Sequence, residues 1–362
     1  MVICKRNCIF ALVGIVTVAL AVLASSAAQQ SAAPALDAGT KKQVIDGAID
    51  HMRRAYIFAD VAEKMADAVR ARSAEHAYDG ISSPREFAET LTKHLQEVSR
   101  DKHLRILYNA DGFPPQRSGP PTAEERAQRL ADERRRNFGF QRVERLDGNV
   151  GYIELLGFSG SDEVAEAAVP AMNFVANTDA LIFDLRRNGG GSPVTIGLIS
   201  SYLFDRAVHL NDFYIRETDT TRQFFTSADV QGRRYGPDKP VFVLTSNRTF
   251  SAAEEFTYNL KNLKRATVVG ETTGGGAHPG GVRRITDRFG IWLPNGRAIN
   301  PITKTNWEGV GIEPDIRVEA AHALRAAHLA AVRKIRETTT DERHRQQLDT
   351  AIAALEKAGS NP

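Results

Sequence analysis

Cysteine is almost missing from this 362-residue chain: its two thiols, Cys4 and Cys8, both stand near the start. Disulfides, thiolate zinc sites and a cysteine nucleophile are thereby excluded from everything downstream, and a thiol-free body suits an oxidising compartment. Excess charge is missing too. Lys and Arg number 47 against 44 Asp and Glu, a net charge of +3, too balanced for nucleic-acid binding by bulk charge. His51, His76, His322 and His328 lie on helical segments without a second ligand at metal-binding spacing. The GxxxxGK[ST] phosphate loop is absent, as are internal repeats and low-complexity stretches. With 42% hydrophobic and 25% charged residues, the chain is neither disordered nor fibrous and suffices for one large domain and a smaller one.

What is present begins with Lys5 and Arg6, an apolar run over 9–23, and small residues in which Ser26 and Ala28 fit a small-x-small cleavage pattern. This reads as a secretory signal peptide over 1–28. The expectation is an exported protein, periplasmic or secreted, with no membrane span once the leader is removed. The alternative is an uncleaved anchor, for which the run is short. No Cys follows the run, which argues against a lipid anchor.

Apolar residues recur at helical spacing in the next segment, as in Ile45, Ile49 and Met52 and again in Val61, Met65 and Val69, which predicts a helical N-terminal domain over 41–108. Ser83-Pro84 is a helix start. Four prolines and two glycines over 112–121, then an almost wholly charged stretch, mark a linker and a solvated helix within 109–140. From Val150 onward β-type runs (150–155, 180–185, 241–245, 266–269) alternate with helical ones (162–175, 194–204, 252–263), which predicts an α/β core over 141–318 around a central sheet. A polar hairpin is expected over 208–225 and a turn at Pro294-Asn295-Gly296. Amphipathic helix closes the chain within 319–362.

Two strand ends carry chemistry. The run 241–245 leads through Ser246-Asn247-Arg248-Thr249-Phe250 to Ser251, which opens a helix where free backbone N–H groups can stabilise an oxyanion. Ser251-Ala252-Ala253-Glu254 fits a capping box equally well. The run 180–185 leads into Arg186-Arg187-Asn188-Gly189-Gly190-Gly191, whose glycines let backbone amides approach a ligand, although many βα turns are glycine-rich.

Read together, DLRRNGGGS (184–192), NRTFSAAEEF (247–256), VGETTGGG (269–276) and EGVGIEPD (308–315) resemble the signature blocks of the C-terminal-processing serine peptidases. Within that superfamily the chain is most similar to the branch of interphotoreceptor retinoid-binding protein and the tricorn core, from about Ile45 to Val318. The resemblance implies a crotonase-like (ClpP-like) spiral core, Ser251 as nucleophile, an oxyanion hole from the N–H groups of Gly191 and Ala252, and no metal or organic cofactor. The peptide-binding PDZ module common in the superfamily has no room between Tyr108 and Val143.

A serine hydroxyl needs a base. Where the processing branch has a Lys, this chain has Gly276, and helix geometry carries Lys261 and Lys264 away from Ser251. The tricorn-like branch draws a His from the helical domain, and DKHL (101–104) matches that block, which makes His103 the base and Glu308 the relay carboxylate. That branch also has a serine just before its histidine, where Lys102 stands here. Asp101 orienting the imidazole, or Glu308 reaching it directly or through water, are the open arrangements, and His278 is the reserve base. The expected reaction is hydrolysis of a peptide or unfolded protein by acyl transfer, with an acidic pH limb near neutrality. A non-catalytic carrier of a hydrophobic ligand, such as a retinoid or fatty acid, is the alternative on the same scaffold.

Overall fold

The computed structural model describes residues 36–115 and 119–357. The leader expected over 1–28 and both cysteines lie outside the described residues, among which no helix is long and apolar enough to cross a membrane. Three helices come first: α1 (Ala38–Ala55), α2 (Ala59–Ala74) and α3 (Pro84–Ser99). α1 and α3 begin at side-chain caps, Asp37 accepting from the Thr40 N–H and Ser83 from the Glu86 N–H, with Pro84 in the first turn of α3. Their apolar stripes, among them Ile49, Met52, Met65, Phe87 and Leu91, are buried together.

Strand β1 (Arg105–Tyr108) follows, then α4 (Ala123–Arg135), which buries none of its residues, as its charge run predicts. Between β1 and β2 (Phe140–Leu146) the described chain holds α4 and one 3-10 turn, so no PDZ module is inserted there. Next come β3 (Val150–Leu155), α5 (Ala165–Val175), β4 (Ala180–Asp184) and α6 (Pro193–Ser201). The hairpin of β5 (His209–Ile215) and β6 (Thr220–Phe225) precedes β7 (Val241–Thr245), α7 (Ala252–Asn262) and β8 (Thr267–Gly270). Then β9 (Gly280–Arg284), β10 (Phe289–Pro294), β11 (Gly296–Ile299) and β12 (Ile316–Arg317) lead to α8 (Ala323–Thr338) and α9 (Glu342–Lys357). The C-terminal segment is helical, as its amphipathic pattern predicts, but in two pieces. The structure breaks it at Thr339, which is extended, and Asp341 accepts from the His344 N–H at the start of α9.

The central sheet has the order β12-β8-β7-β4-β3-β2, parallel throughout except for β2. Every residue of β4 and β7 is buried. One face packs on α5, α6 and α7 and the other on α8 and α9, which is why these strands read as unbroken apolar runs. This is the α/β arrangement expected. A second sheet, β1-β10-β9, joins the N-terminal helices to the rest: Phe289, Ile291 and Leu293 of β10 share one core with α1–α3. A third, β11-β5-β6, stands beside it.

Candidate active site

Adjacent parallel strands β4 and β7 end side by side, and ligands of open α/β sheets collect outside such carboxyl ends. After β4, the buried Asn188 ties the glycine turn down: its Nδ2 donates to the Leu155 carbonyl and its Oδ1 accepts from the Gly190 N–H. Gly190 and Gly191 have φ of +114° and +140°, and a Cβ on Gly191 would stand 1.9 Å from the Phe158 carbonyl oxygen. Only glycine fits there. A Cβ on Gly190 would lie 2.8 Å from that of Ser251, so the turn rests directly on the serine.

After β7, Thr249 anchors the chain by donating to the Leu185 carbonyl, and Phe250 N–H donates to the Asn188 carbonyl. Ser251 then takes φ 55°, ψ −122°, a conformation an L-residue adopts at a cost of about 1–3 kcal/mol. The Glu254 arm of the capping box forms, its carboxylate accepting from the Ser251 N–H at 2.9 Å. Two nearby amides are left over: neither Gly191 N–H nor Ala252 N–H donates to any acceptor among the described residues.

Glu254 also accepts from the Thr273 hydroxyl and from the N–H groups of Gly275 and Gly276, and so hangs the 271–279 loop from the start of α7. Burial raises its carboxyl pKa, and these hydrogen bonds oppose the rise. Sequence reasoning saw Glu254 only as a cap. The EGVGIEPD block and the Trp307 before it grip the same loop: Trp307 Nε1 donates to the Gly276 carbonyl, Glu308 accepts from the Ala277 N–H, and Ile312 N–H donates to Thr273 Oγ1. Lys261 is turned away as expected, paired with Asp315.

Ser251 opens into a cavity of about 360 Å³ that is also lined by Gly191, Ala252, His103 and His278. His103 is buried, its ring against Phe250 at 4.6 Å, with Nδ1 unpartnered. Burial lowers its pKa to about 4; His278 and Arg105 push the same way and Asp101 opposes. Gly276 is forced here, since a Cβ would come within 2.2 Å of Phe250 Cζ and 2.7 Å of His103 Cε1.

The carboxylates expected beside His103 face the other imidazole. Asp101 Oδ2 bonds His278 Nδ1 at 2.8 Å and accepts from the Tyr56 hydroxyl, while Asp101 Oδ1 holds the His103 backbone N–H. Glu308 Oε2 lies 3.5 Å from His278 Nδ1, and burial raises Glu308 to about 7. Phe58 covers the His278 ring edge-on. Neither imidazole hydrogen-bonds to Ser251. Asp101, His278 and Glu308 also offer three ligand atoms within 4.8 Å of one another, a grouping the sequence spacing did not reveal. Lys102, standing where the tricorn-like branch has serine, donates to the Gly274 carbonyl.

The family model "Peptidase family S41" matches residues 149–318, and that of the N-terminal domain of peptidase S41 in eukaryotic IRBP matches residues 16–135. Carboxyl-terminal-processing peptidase 2 of the Arabidopsis thaliana chloroplast is 31% identical over 169 residues, 46% of this chain and 31% of that protein. The carboxy-terminal-processing protease of Bartonella bacilliformis is 26% identical over 185 residues, 48% of this chain and 40% of that protein. This chain thus spans less than half the length of these relatives. A lipoprotein from Streptococcus agalactiae shares the fold with a TM-score of 0.54 at 17% identity, over 79% of this chain and 94% of that one. With the two models in tandem over most of its length, and the strand ends and loops built from the blocks they contain, this chain belongs to the C-terminal-processing, or S41, peptidase superfamily.

Proposed function

We propose that the chain is a serine peptidase that cleaves peptides or unfolded proteins through Ser251, with His103 as general base. The observation that carries this reading is the pair of free N–H groups, Gly191 and Ala252, lining the same cavity as a serine held at positive φ. Such preorganised donors favour the oxyanion of a tetrahedral intermediate over the ground-state carbonyl. In the forward step neutral His103 takes the proton from Ser251 Oγ, which attacks the peptide carbonyl. The oxyanion accepts from the two amides, His103 returns the proton to the leaving amine, and water then hydrolyses the acyl-enzyme by the same route. Asp101, whose charge favours protonation of His103, offsets the positive charge that forms.

Export to the periplasm or the medium is part of the same proposal, supported by the leader-type segment over 1–28. The reading is tested by hydrolysis of casein and of short peptides. Ser251→Ala is expected to abolish cleavage with the far-ultraviolet circular dichroism unchanged, and full activity in that variant would refute the nucleophile.

A further inference from the structure

Antiparallel pairing sets Arg105 of β1 directly opposite Trp292 of β10, and Trp292 opposite Val282 of β9. Directly opposed residues project from the same face of a sheet. The alternate positions Ile106, Ile291 and Leu293 are buried against the N-terminal helices, so Arg105, Trp292 and Val282 share the opposite face. That face forms a wall of the serine cavity, lined by both Arg105 and Trp292.

Two donors on this wall lack acceptors. Arg105 makes no ion pair or hydrogen bond among the described residues, and the Trp292 Nε1–H is buried without a partner. The hollow on the other flank of Arg105 carries Glu89 and Glu97; Glu97 is paired with Arg72, and neither pairs with Arg105. Arg105 is exposed and water can satisfy its guanidinium, but a buried donor without a partner, such as the Trp292 N–H, is uncommon in native structures and points to a missing acceptor. A carboxylate supplies what this wall lacks: negative charge for the guanidinium and a second oxygen for the indole N–H. The half-exposed Val282 extends the wall as an apolar surface for a neighbouring side chain.

Position relative to the reaction narrows the ligand, and this step rests on the serine-peptidase reading above. The charge of Arg105 is felt at His103, and the imidazole that protonates the leaving amine stands on the leaving-group side of the scissile bond. We propose that Arg105 and Trp292 form a specificity subsite for a peptide carboxylate on that side. The carboxylate has two sources, the chain terminus or an Asp or Glu side chain, and the guanidinium accepts either.

The test measures binding to the catalytically silent Ser251→Ala protein by titration calorimetry. The probes are N-acetyl-Ala-Ala-Ala-Leu with a free carboxyl terminus and as the carboxamide, and N-acetyl-Ala-Asp-Ala-Leu carboxamide with its Asn counterpart. At least one carboxylate peptide is expected to bind about tenfold more tightly than its neutral twin. The first pair reports the chain terminus and the second the side chain. Adding Arg105→Gln should erase the discrimination, and Trp292→Phe, which keeps the ring and loses the N–H, should reduce it. Equal binding by all four peptides, no saturable binding by any, or discrimination that survives Arg105→Gln would overturn the subsite. Wild-type hydrolysis of the same peptides is scored separately: hydrolysis without discrimination refutes the subsite alone, whereas discrimination without hydrolysis refutes the peptidase reading and leaves the subsite standing.

Discussion

His103 shows how burial alters what a residue type implies. An unperturbed imidazole titrates near ~6.5, and an acidic limb near neutrality is the expectation from sequence. In the folded chain burial moves the group to about 4. The competent base is neutral, so kcat/KM is expected to stay level through neutral pH and fall as the pH drops through about 4. His103→Ala should lower kcat by about two to four orders of magnitude, with His278→Ala milder. A limb near neutrality that vanishes with His278→Ala, together with near-wild-type turnover by His103→Ala, would make His278 the base. Both histidines and both carboxylates were legible as candidates. Their pairing was not: Asp101 and His278 are 177 positions apart, and no local spacing encodes which ring a buried carboxylate meets.

At the scale of elements, the Glu254 carboxylate accepts from three donors of the 271–279 loop and from the Ser251 N–H, and so ties the loop to the serine. Glu254→Gln keeps the volume but sets an amide NH2 against N–H groups. Loss of charged hydrogen bonds worth about 1.5–3 kcal/mol each should lower stability in urea by roughly 2–4 kcal/mol. The same change should slow turnover by shifting the loop that carries His278. Unchanged stability and rate would show that the loop is held from the EGVGIEPD side instead. Strands β3 and β7 begin and end where their apolar runs do, because burial on both faces leaves an unbroken local signal. The β1–β10 pairing left no such trace, since four residues, Arg-Ile-Leu-Tyr, find their partner across about half of the chain.

For the whole molecule, two buried acids make stability depend on pH. Burial raises Glu255 to about 8 and Glu308 to about 7, against about 4.3 when unfolded. A raised carboxyl pKa favours the protonated, folded form, so its stabilising effect is complete below about 4 and is lost as pH rises toward 8. Unfolding midpoints in urea should therefore decline from about pH 5 to about pH 8. Glu255→Gln, neutral throughout, should flatten much of that decline and stabilise the protein at pH 8. A Glu255→Gln midpoint that tracks wild type across the range would refute this assignment. Glu255 sits in the first turn of α7 and lines the Ser251 cavity, a placement its sequence context, one of two adjacent acids at a helix start, did not single out.

The central claim is that Ser251 is an activated nucleophile beside a preformed oxyanion hole, and covalent capture tests it most directly. Incubation with a fluorophosphonate, followed by digestion and mass spectrometry, is expected to place one phosphonyl adduct on Ser251, absent from Ser251→Ala and strongly reduced in Gly191→Ala. Absence of any adduct on folded wild-type protein, or an adduct at another residue that persists in Ser251→Ala, would contradict it.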